Sequence, residues 1–319
     1  MEASDVPTVI IFMLQAVVGI LGNSFLLCHY VLFSFIGCSL KPTEFILKHL
    51  IVANIVTLLC KAVPQTMAAF GLRDFLGDFG CKVLFYFHRV SRSITMSSTC
   101  LLSVFQAITI SPSDSGCAQL KAKAPKYTHF SLQLSWILYL LVNVVCFKNV
   151  TRKWNNENIT ILKDLGYCSA SNLDKASDLL LAVFLSFPDV FCVGFMVWSS
   201  STMVFILYRH KQRIQHLNSI DHANVFSRYF PVCRATKTIL LLAGTFVFFY
   251  TLSCIFHICL MVISDPSWFL VTTSAVIAGC FPTVSPFLLT SPEASEFRFF
   301  YVWIRNRKTS ESSDEHVIK

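Results

Sequence analysis

The sequence is poor in charged residues and in glycine, and no stretch of it is a Gly/Ser-rich linker. Of its 319 residues, 14% are Asp, Glu, Lys or Arg and 11 are glycine, whereas 54% are hydrophobic. A soluble globular protein carries about 25% charged residues, so this chain has too few polar residues to cover a water-soluble core. The composition therefore excludes an ordinary cytosolic enzyme and an intrinsically disordered protein.

Patterns typical of catalysis or cofactor binding are also lacking. The sequence contains no His/Cys cluster with metal-ligand spacing, no Gly-rich phosphate loop and no nucleophile elbow. We therefore expect no enzyme activity, no metal and no cofactor. Because no internal repeat divides the chain into halves, it does not fit the duplicated architecture common in secondary transporters.

Long apolar runs recur along the chain instead. Runs of about 18 or more apolar residues with few charges are typical of membrane-spanning helices, which contact lipid along their length. The pattern predicts an all-α membrane protein, a seven-transmembrane helix bundle formed by residues 1–290. The spans are predicted near 9–33, 45–70, 82–109, 129–147, 178–207, 237–263 and 268–290.

The net charge of +8 is explained by topology. Membrane proteins concentrate Lys and Arg in short cytoplasmic loops, and here the predicted inner segments are richer in both when the N-terminus lies outside. We therefore expect a cytoplasmic C-terminus and no nucleic-acid partner. The first five residues lack the basic start of a cleavable signal peptide, so span 1 is predicted to be an uncleaved anchor. The longest inner loop is predicted over 210–233, and residues 291–319 are predicted to form a disordered cytoplasmic tail.

The predicted outer loop 148–177 contains sites whose chemistry depends on facing outward. N-glycosylation sequons begin at Asn149 and Asn158, and Asn158 is the better candidate because Asn149 lies close to a span end. Of the 13 cysteines, Cys81 and Cys168 fall on the oxidising outer side. The others lie in spans or face the reducing cytosol. We predict a Cys81–Cys168 disulfide that holds the loop over the bundle.

Ionisable residues lie inside the predicted spans, where they are costly and usually face the bundle interior. Arg89 and Arg92 share one face of span 3. Lys61, Asp189 and His257 lie in spans 2, 5 and 6. One interpretation is a structural ion pair of Asp189 with Arg92 or Lys61, and a packing role for His257. The other is a ligand pocket, because three cations accompany one carboxylate and an acidic ligand group would balance the difference.

Several strings resemble a known receptor family. Seven spans and a cysteine pair at these positions are similar to G-protein-coupled receptors in general. From about residue 20 to 290, the chain resembles the vomeronasal type 1 receptors. The strings that carry this resemblance are 88–93 (HRVSRS), 99–112 (TCLLSVFQAITISP), 123–127 (KAPKY), 164–168 (DLGYC), 186–190 (SFPDV), 204–213 (VFILYRHKQR) and 278–287 (AGCFPTVSPF).

The resemblance implies a chemosensory receptor in the plasma membrane of vomeronasal sensory neurons. Such a receptor would detect a pheromone-type small molecule and signal through a heterotrimeric Gi/Go-type G protein. Asn54 stands where rhodopsin-like receptors have a sodium-binding Asp, and we expect it to form interhelical hydrogen bonds. Cations at the inner ends of spans 5 and 6 would face the G protein or serve only as topological anchors: Arg209, Lys211, Arg213, Arg234 and Lys237.

Two other functions would also explain parts of the sequence. A bitter-taste-type receptor shares the seven spans and short termini, but such receptors lack the Cys81–Cys168 pairing. A transporter or channel would explain the intramembrane charges. Uptake or conductance in a reconstituted membrane without any G protein would identify that class.

Glycosylation at Asn158 is directly testable. Glycosidase treatment of the expressed protein should shift its gel band, and Asn158→Gln should abolish most of this shift, because the Asn158 sequon lies in mid-loop on the predicted luminal side. Asn149→Gln is the matched control and should leave the shift largely intact. An unchanged shift in Asn158→Gln would contradict the prediction.

Overall fold

A computed structural model describes residues 6–35, 42–71, 77–111, 115–144, 150–151, 162–164, 169–171, 175–215, 219–263 and 267–290. Within these ranges the chain forms seven α-helices and three short β-strands, which confirms the predicted fold class. The helices are α1 (Val6–Phe35), α2 (Pro42–Ala69), α3 (Asp78–Ile110), α4 (Ser115–Asn143), α5 (Lys175–Gln215), α6 (Ser219–Val262) and α7 (Trp268–Thr290).

Six of these helices are long and apolar enough to cross a membrane. The exception is α4, whose N-terminal half carries Lys121, Lys123 and Lys126 and whose apolar half continues to the end of its described range. A helix suits the membrane interior because it satisfies its backbone hydrogen bonds within one segment. Large apolar side chains on the outer surface of α5, such as Phe195, Trp198 and Phe205, are more than half exposed and thus available to lipid.

Three helices extend further at their predicted cytoplasmic ends than the hydropathy pattern indicates. The loop predicted over 210–233 is wrong over most of its length, because α5 continues to Gln215 and α6 already begins at Ser219. Similarly, α4 begins at Ser115, well before the predicted span. Hydropathy marks the part of a helix that lies in lipid, whereas the intrahelical hydrogen bonds allow the helix to continue into water.

The segment between α4 and α5 contains a small antiparallel sheet. Its strands are β1 (Val150–Thr151), β2 (Leu162–Asp164) and β3 (Ser169–Ser171), in the order β1-β3-β2. Strand β1 lies against α3. At the start of α3, Cys81 is fully buried and disulfide-bonded.

Three residues predicted in this outer segment lie outside the described ranges: Asn149, Asn158 and Cys168. The pairing of Cys81 with Cys168 and both glycosylation sites therefore stay predictions. The tail 291–319 also lies outside the described ranges.

Helix α3 is the centre of the bundle, since it packs against α2, α4, α5 and α6. Small hydroxyl side chains on its buried face allow this close packing, as is common in membrane helices. Some of these hydroxyl groups donate a hydrogen bond to the carbonyl four residues earlier in the same helix. Thr99 donates to the Thr95 carbonyl at 2.8 Å, and Ser103 donates to the Thr99 carbonyl at 3.0 Å.

A buried polar network centred on Asn54 joins α1, α2, α3 and α7. The amide nitrogen of Asn54 donates to Ser285 Oγ at 2.9 Å and to Asn23 Oδ1 at 3.4 Å. Its amide oxygen accepts from Thr95 Oγ1 at 3.2 Å. In turn, Asn23 donates to the Pro282 carbonyl at 2.8 Å. Asn54 thus forms the interhelical hydrogen bonds expected from the sequence.

We predict that Asn54→Ala lowers the thermal unfolding midpoint of the purified receptor. The change removes two donated bonds and one accepted bond and leaves buried partners unsatisfied, which costs about 1–3 kcal/mol per group. Thr202→Ala is the control, because Thr202 donates only to the Trp198 carbonyl of its own helix. Equal midpoints for the two variants would show that the network contributes nothing to stability.

Candidate ligand site between the transmembrane helices

A cavity of about 40 Å³ lies between α2, α3, α6 and α7. Most of its wall is apolar or aromatic, and four hydroxyl groups and one guanidinium also line it. Drug-sized ligands occupy pockets of about 300–1,000 Å³, so this cavity has room for one end of a ligand. The lining residues are Thr57, Arg92, Thr95, Phe246, Phe249, Tyr250, Ser253, Ile277, Ala278, Phe281 and Pro282.

Arg92 is the one charged residue in this lining. Its guanidinium carbon lies 5.0 Å from the centre of the Tyr250 ring. A cation over an aromatic face is attracted by the negative face of the ring, and the attraction grows when water is excluded. This contact fixes the position of the Arg92 charge beside the cavity.

Asp189 is connected to the cavity through Tyr250. The Tyr250 hydroxyl donates a hydrogen bond of 2.9 Å to Asp189 Oδ2, which links α6 to α5. The other carboxylate oxygen, Oδ1, is buried and has no hydrogen-bond partner in the described part of the chain. Arg92 and Arg89 are both near enough to act electrostatically on Asp189.

In the described part of the structure, the Asp189 carboxylate is hydrogen-bonded to Tyr250, and no ion pair with Arg92 or Lys61 is found there. Among the described residues, the one pair with a nitrogen–oxygen distance of 4.0 Å or less is Lys82 with Asp78. Tyr250 takes the position between Asp189 and Arg92, because it contacts the carboxylate with its hydroxyl and the guanidinium with its ring.

The two arginines of α3 are directed to different neighbours. Nε of Arg89 donates to Asn143 Oδ1 of α4 at 3.2 Å. The amide nitrogen of Asn143 donates to the Tyr139 carbonyl at 2.8 Å, which orients the Asn143 side chain. Arg89 therefore lies at the boundary of α3 and α4, whereas Arg92 lines the cavity.

The remaining predicted pocket residues, Lys61 and His257, each follow a cavity-lining residue by one helical turn. Lys61 follows Thr57 by one turn of α2, is half-buried, and interacts electrostatically with Arg92. His257 follows Ser253 by one turn of α6, and its side chain lies outside the described part of the structure.

Four polar residues of the site were missed from the sequence: Thr57, Thr95, Tyr250 and Ser253. Tyr250 and Ser253 are uncharged and lie in a strongly apolar span, where attention to ionisable residues passes over them. They are three residues apart, a spacing that places them on one face of α6. A search for polar pairs with helical spacing inside the spans would have found them.

The cations predicted to face the cytoplasm lie near the C-terminal end of α5 and in the N-terminal half of α6. Arg209 is exposed, and its guanidinium carbon lies 5.6 Å from the centre of the Phe205 ring. Lys237 is also exposed. Lys211, Arg213 and Arg234 belong to the helices, but their side chains lie outside the described part of the structure.

Sequence comparison places this bundle in a family. The model of the "Vomeronasal organ pheromone receptor family" matches residues 6–302. The chain belongs to the vomeronasal type 1 receptor family. The members of this family are multi-pass membrane receptors, so the chain is of the receptor class.

Individual relatives cover most of the chain. Vomeronasal type-1 receptor 4 of Homo sapiens is 53% identical over 291 residues, which are 91% of this chain and 96% of that receptor. Vomeronasal type-1 receptor 2 of Homo sapiens is 46% identical, covering 92% of this chain and 74% of that receptor. Olfactory receptor class A-like protein 1 of Danio rerio is 29% identical over 88% of this chain and 87% of that protein.

Among solved structures, squid rhodopsin has a similar fold. The TM-score is 0.70 at 13% sequence identity, and the match covers 95% of this chain and 87% of rhodopsin. At this identity the likeness concerns the fold, which is the seven-helix bundle of G-protein-coupled receptors.

We predict that Tyr250→Phe destabilises the receptor although it keeps the ring next to Arg92. The change leaves both buried oxygens of Asp189 without a hydrogen bond, which costs about 1–3 kcal/mol. The thermal unfolding midpoint of the purified protein measures this loss. In the double variant Tyr250→Phe/Asp189→Leu, the loss of stability should be much smaller than the sum of the losses in the two single variants, because both changes remove the same bond. Strict additivity would contradict a direct contact.

Proposed function

We propose that this protein is a chemosensory receptor that binds a pheromone-type small molecule and activates a Gi/Go-type G protein. The observation that carries the proposal is the Arg92-lined cavity, located between helices of a bundle whose sequence family consists of receptors. The proposed location is the plasma membrane of vomeronasal sensory neurons. This location is supported by the names of the relatives and by the apolar helices.

In the proposed topology the N-terminus lies outside and the C-terminus in the cytoplasm. The Cys81–Cys168 disulfide would then attach the strand-bearing outer segment to the start of α3, above the cavity. Arg92 follows Cys81 by 11 residues, which is about 16 Å along the helix. The burial of Cys81 and the contact of β1 with α3 support this arrangement.

The proposed ligand carries an acidic group. Arg92 has five N–H donors and no acceptor, so a carboxylate or sulfate matches it best and can form two parallel hydrogen bonds. The aromatic lining of Phe246, Phe249 and Phe281 suits the apolar part of such a ligand next to its head. A ligand shifts the receptor to its active arrangement only if it binds that arrangement more tightly.

The proposed G-protein surface is formed by the inner ends of α5 and α6. A helix-in-groove contact there would use the exposed cations Arg209 and Lys237 at its rim. Opening such a groove must separate α6 from α3, and the bond from Gln106 Nε2 to Thr236 Oγ1, 3.4 Å long, is one contact between these helices at that end. The cationic residues also have the plain alternative of anchoring the topology.

The proposal is tested by expressing the receptor with Gi/Go and screening volatile and acidic chemosignals. The expected result is a ligand-dependent signal that pertussis toxin abolishes. Uptake or conductance without a G protein would identify a transporter or channel instead. A signal that survives the toxin would overturn the assignment to Gi/Go.

For an acid that activates the receptor, we predict that its methyl ester is the weaker agonist and that Arg92→Gln removes the difference. A hydrogen bond to a charged group contributes about 1.5–3 kcal/mol, so the half-maximal concentration of the acid should rise about tenfold or more. Dose–response curves of both compounds, normalised to surface expression, measure the effect.

Two variants control this experiment. Arg92→Lys keeps the charge and should retain part of the preference for the acid. Arg89→Gln removes a charge that Asn143 holds between α3 and α4, so it should change the acid-to-ester ratio less than Arg92→Gln does. If Arg92→Gln reaches the surface and still prefers the acid by the original factor, the anionic-ligand proposal is wrong.

A further inference from the structure

Ser253 differs from every other hydroxyl residue that lines the cavity. Thr57 donates to Ser91 Oγ, Thr95 donates to Asn54 Oδ1, and Tyr250 donates to Asp189. Ser253 Oγ is buried, with 3% of the residue exposed, and has no hydrogen-bond partner in the described structure. It is thus the hydroxyl in this lining that donates to no partner in the described structure.

The lack of a partner is unusual for a serine in a helix. Ser and Thr in membrane helices commonly donate back to the carbonyl four residues earlier. Thr99 and Thr245 do so here, at 2.8 and 2.9 Å. A buried hydroxyl left unbonded is unfavourable, so its retention at a cavity wall is explained if another molecule completes the bond.

The chemistry around the cavity selects the group that would bind. Arg92 offers N–H donors, and Ser253 adds an O–H donor to the same small space. The nearby ionisable groups are Lys61, Arg89, Arg92 and Asp189, whose formal charges add up to a positive value. An acceptor with negative charge complements this set, and the volume of about 40 Å³ limits what enters to a head group.

We propose that Arg92 and Ser253 form an oxyanion subsite that binds the carboxylate or sulfate head of the ligand. Arg92 provides the charge, and Ser253 is a specificity-determining residue that donates a hydrogen bond to one anion oxygen. The inference deepens the proposed function and rests on it for the identity of the ligand. The subsite itself is testable on the purified receptor without any G protein.

The experiment measures access of charged thiol reagents to position 253. Full-length receptor carrying Ser253→Cys and Cys254→Ala is treated with anionic sulfonatoethyl or cationic trimethylammonioethyl methanethiosulfonate. Peptide mass mapping then gives the rate of modification at residue 253, and each rate is divided by that of a free thiol in solution. Charged clefts raise the local concentration of opposite charge by about tenfold or more, so the anionic reagent should react about tenfold faster.

Ser98→Cys in the same background is the matched control. Ser98 is also fully buried, and its hydroxyl also lacks a partner in the described structure, but it does not line the cavity. We expect no modification at residue 98. Modification of both cysteines at equal rates would show that burial in this bundle, and not the cavity, decides access, and would overturn the proposal.

Substitution of Arg92 tests the source of the preference. Adding Arg92→Gln should bring the ratio of anionic to cationic rates close to one, and Arg92→Lys should keep it raised. No modification at residue 253, an equal or cationic preference in the Arg92 protein, or a ratio unchanged by Arg92→Gln would each overturn the subsite. If the anionic preference is found while the receptor gives no G-protein signal, the subsite stands and the proposed function is the part that fails.

Discussion

The structure depends on one constraint, namely that polar groups inside a bilayer must find their partners within the protein. Lipid offers no hydrogen bonds, so spanning segments are helical and their polar side chains point inward. Asn54 shows the consequence most fully, because its amide bonds to α1, α3 and α7 while it lies on α2. Without water as a competitor, a few such contacts determine how the helices are arranged.

The same constraint makes the exceptions informative. Tyr250 donates a hydrogen bond to one oxygen of Asp189 and contacts Arg92 with its ring, so one side chain interacts with both the carboxylate and the guanidinium. Ser253 Oγ and Asp189 Oδ1 are buried without a partner in the described structure. Ser253 lines the cavity, and Asp189 is connected to it through the Tyr250 hydroxyl. Other buried polar atoms without a partner in the described residues, such as Ser98 Oγ, do not line it.

A shared fold does not mean shared chemistry, as the comparison with squid rhodopsin illustrates. Squid rhodopsin has the same bundle at 13% identity, because seven helices in lipid are governed by the same packing rules. Function belongs to the residues that a fold positions. In the proposed function those residues are Arg92, Tyr250 and Ser253, which line a cavity between α2, α3, α6 and α7.

Hydropathy along the sequence determined the membrane class and the seven helices, and matching strings of residues determined the family, because both are local properties of the chain. They also identified Arg92 and Asn54 as interior polar residues. Tertiary structure alone decided that Arg89 turns to Asn143 while Arg92 faces the cavity, although both share one helix face. It also revealed Tyr250 and Ser253, since whether a buried hydroxyl is satisfied depends on neighbours distant in sequence. Hydropathy did not predict that α5 and α6 continue into the expected loop, because a helix can also form outside lipid.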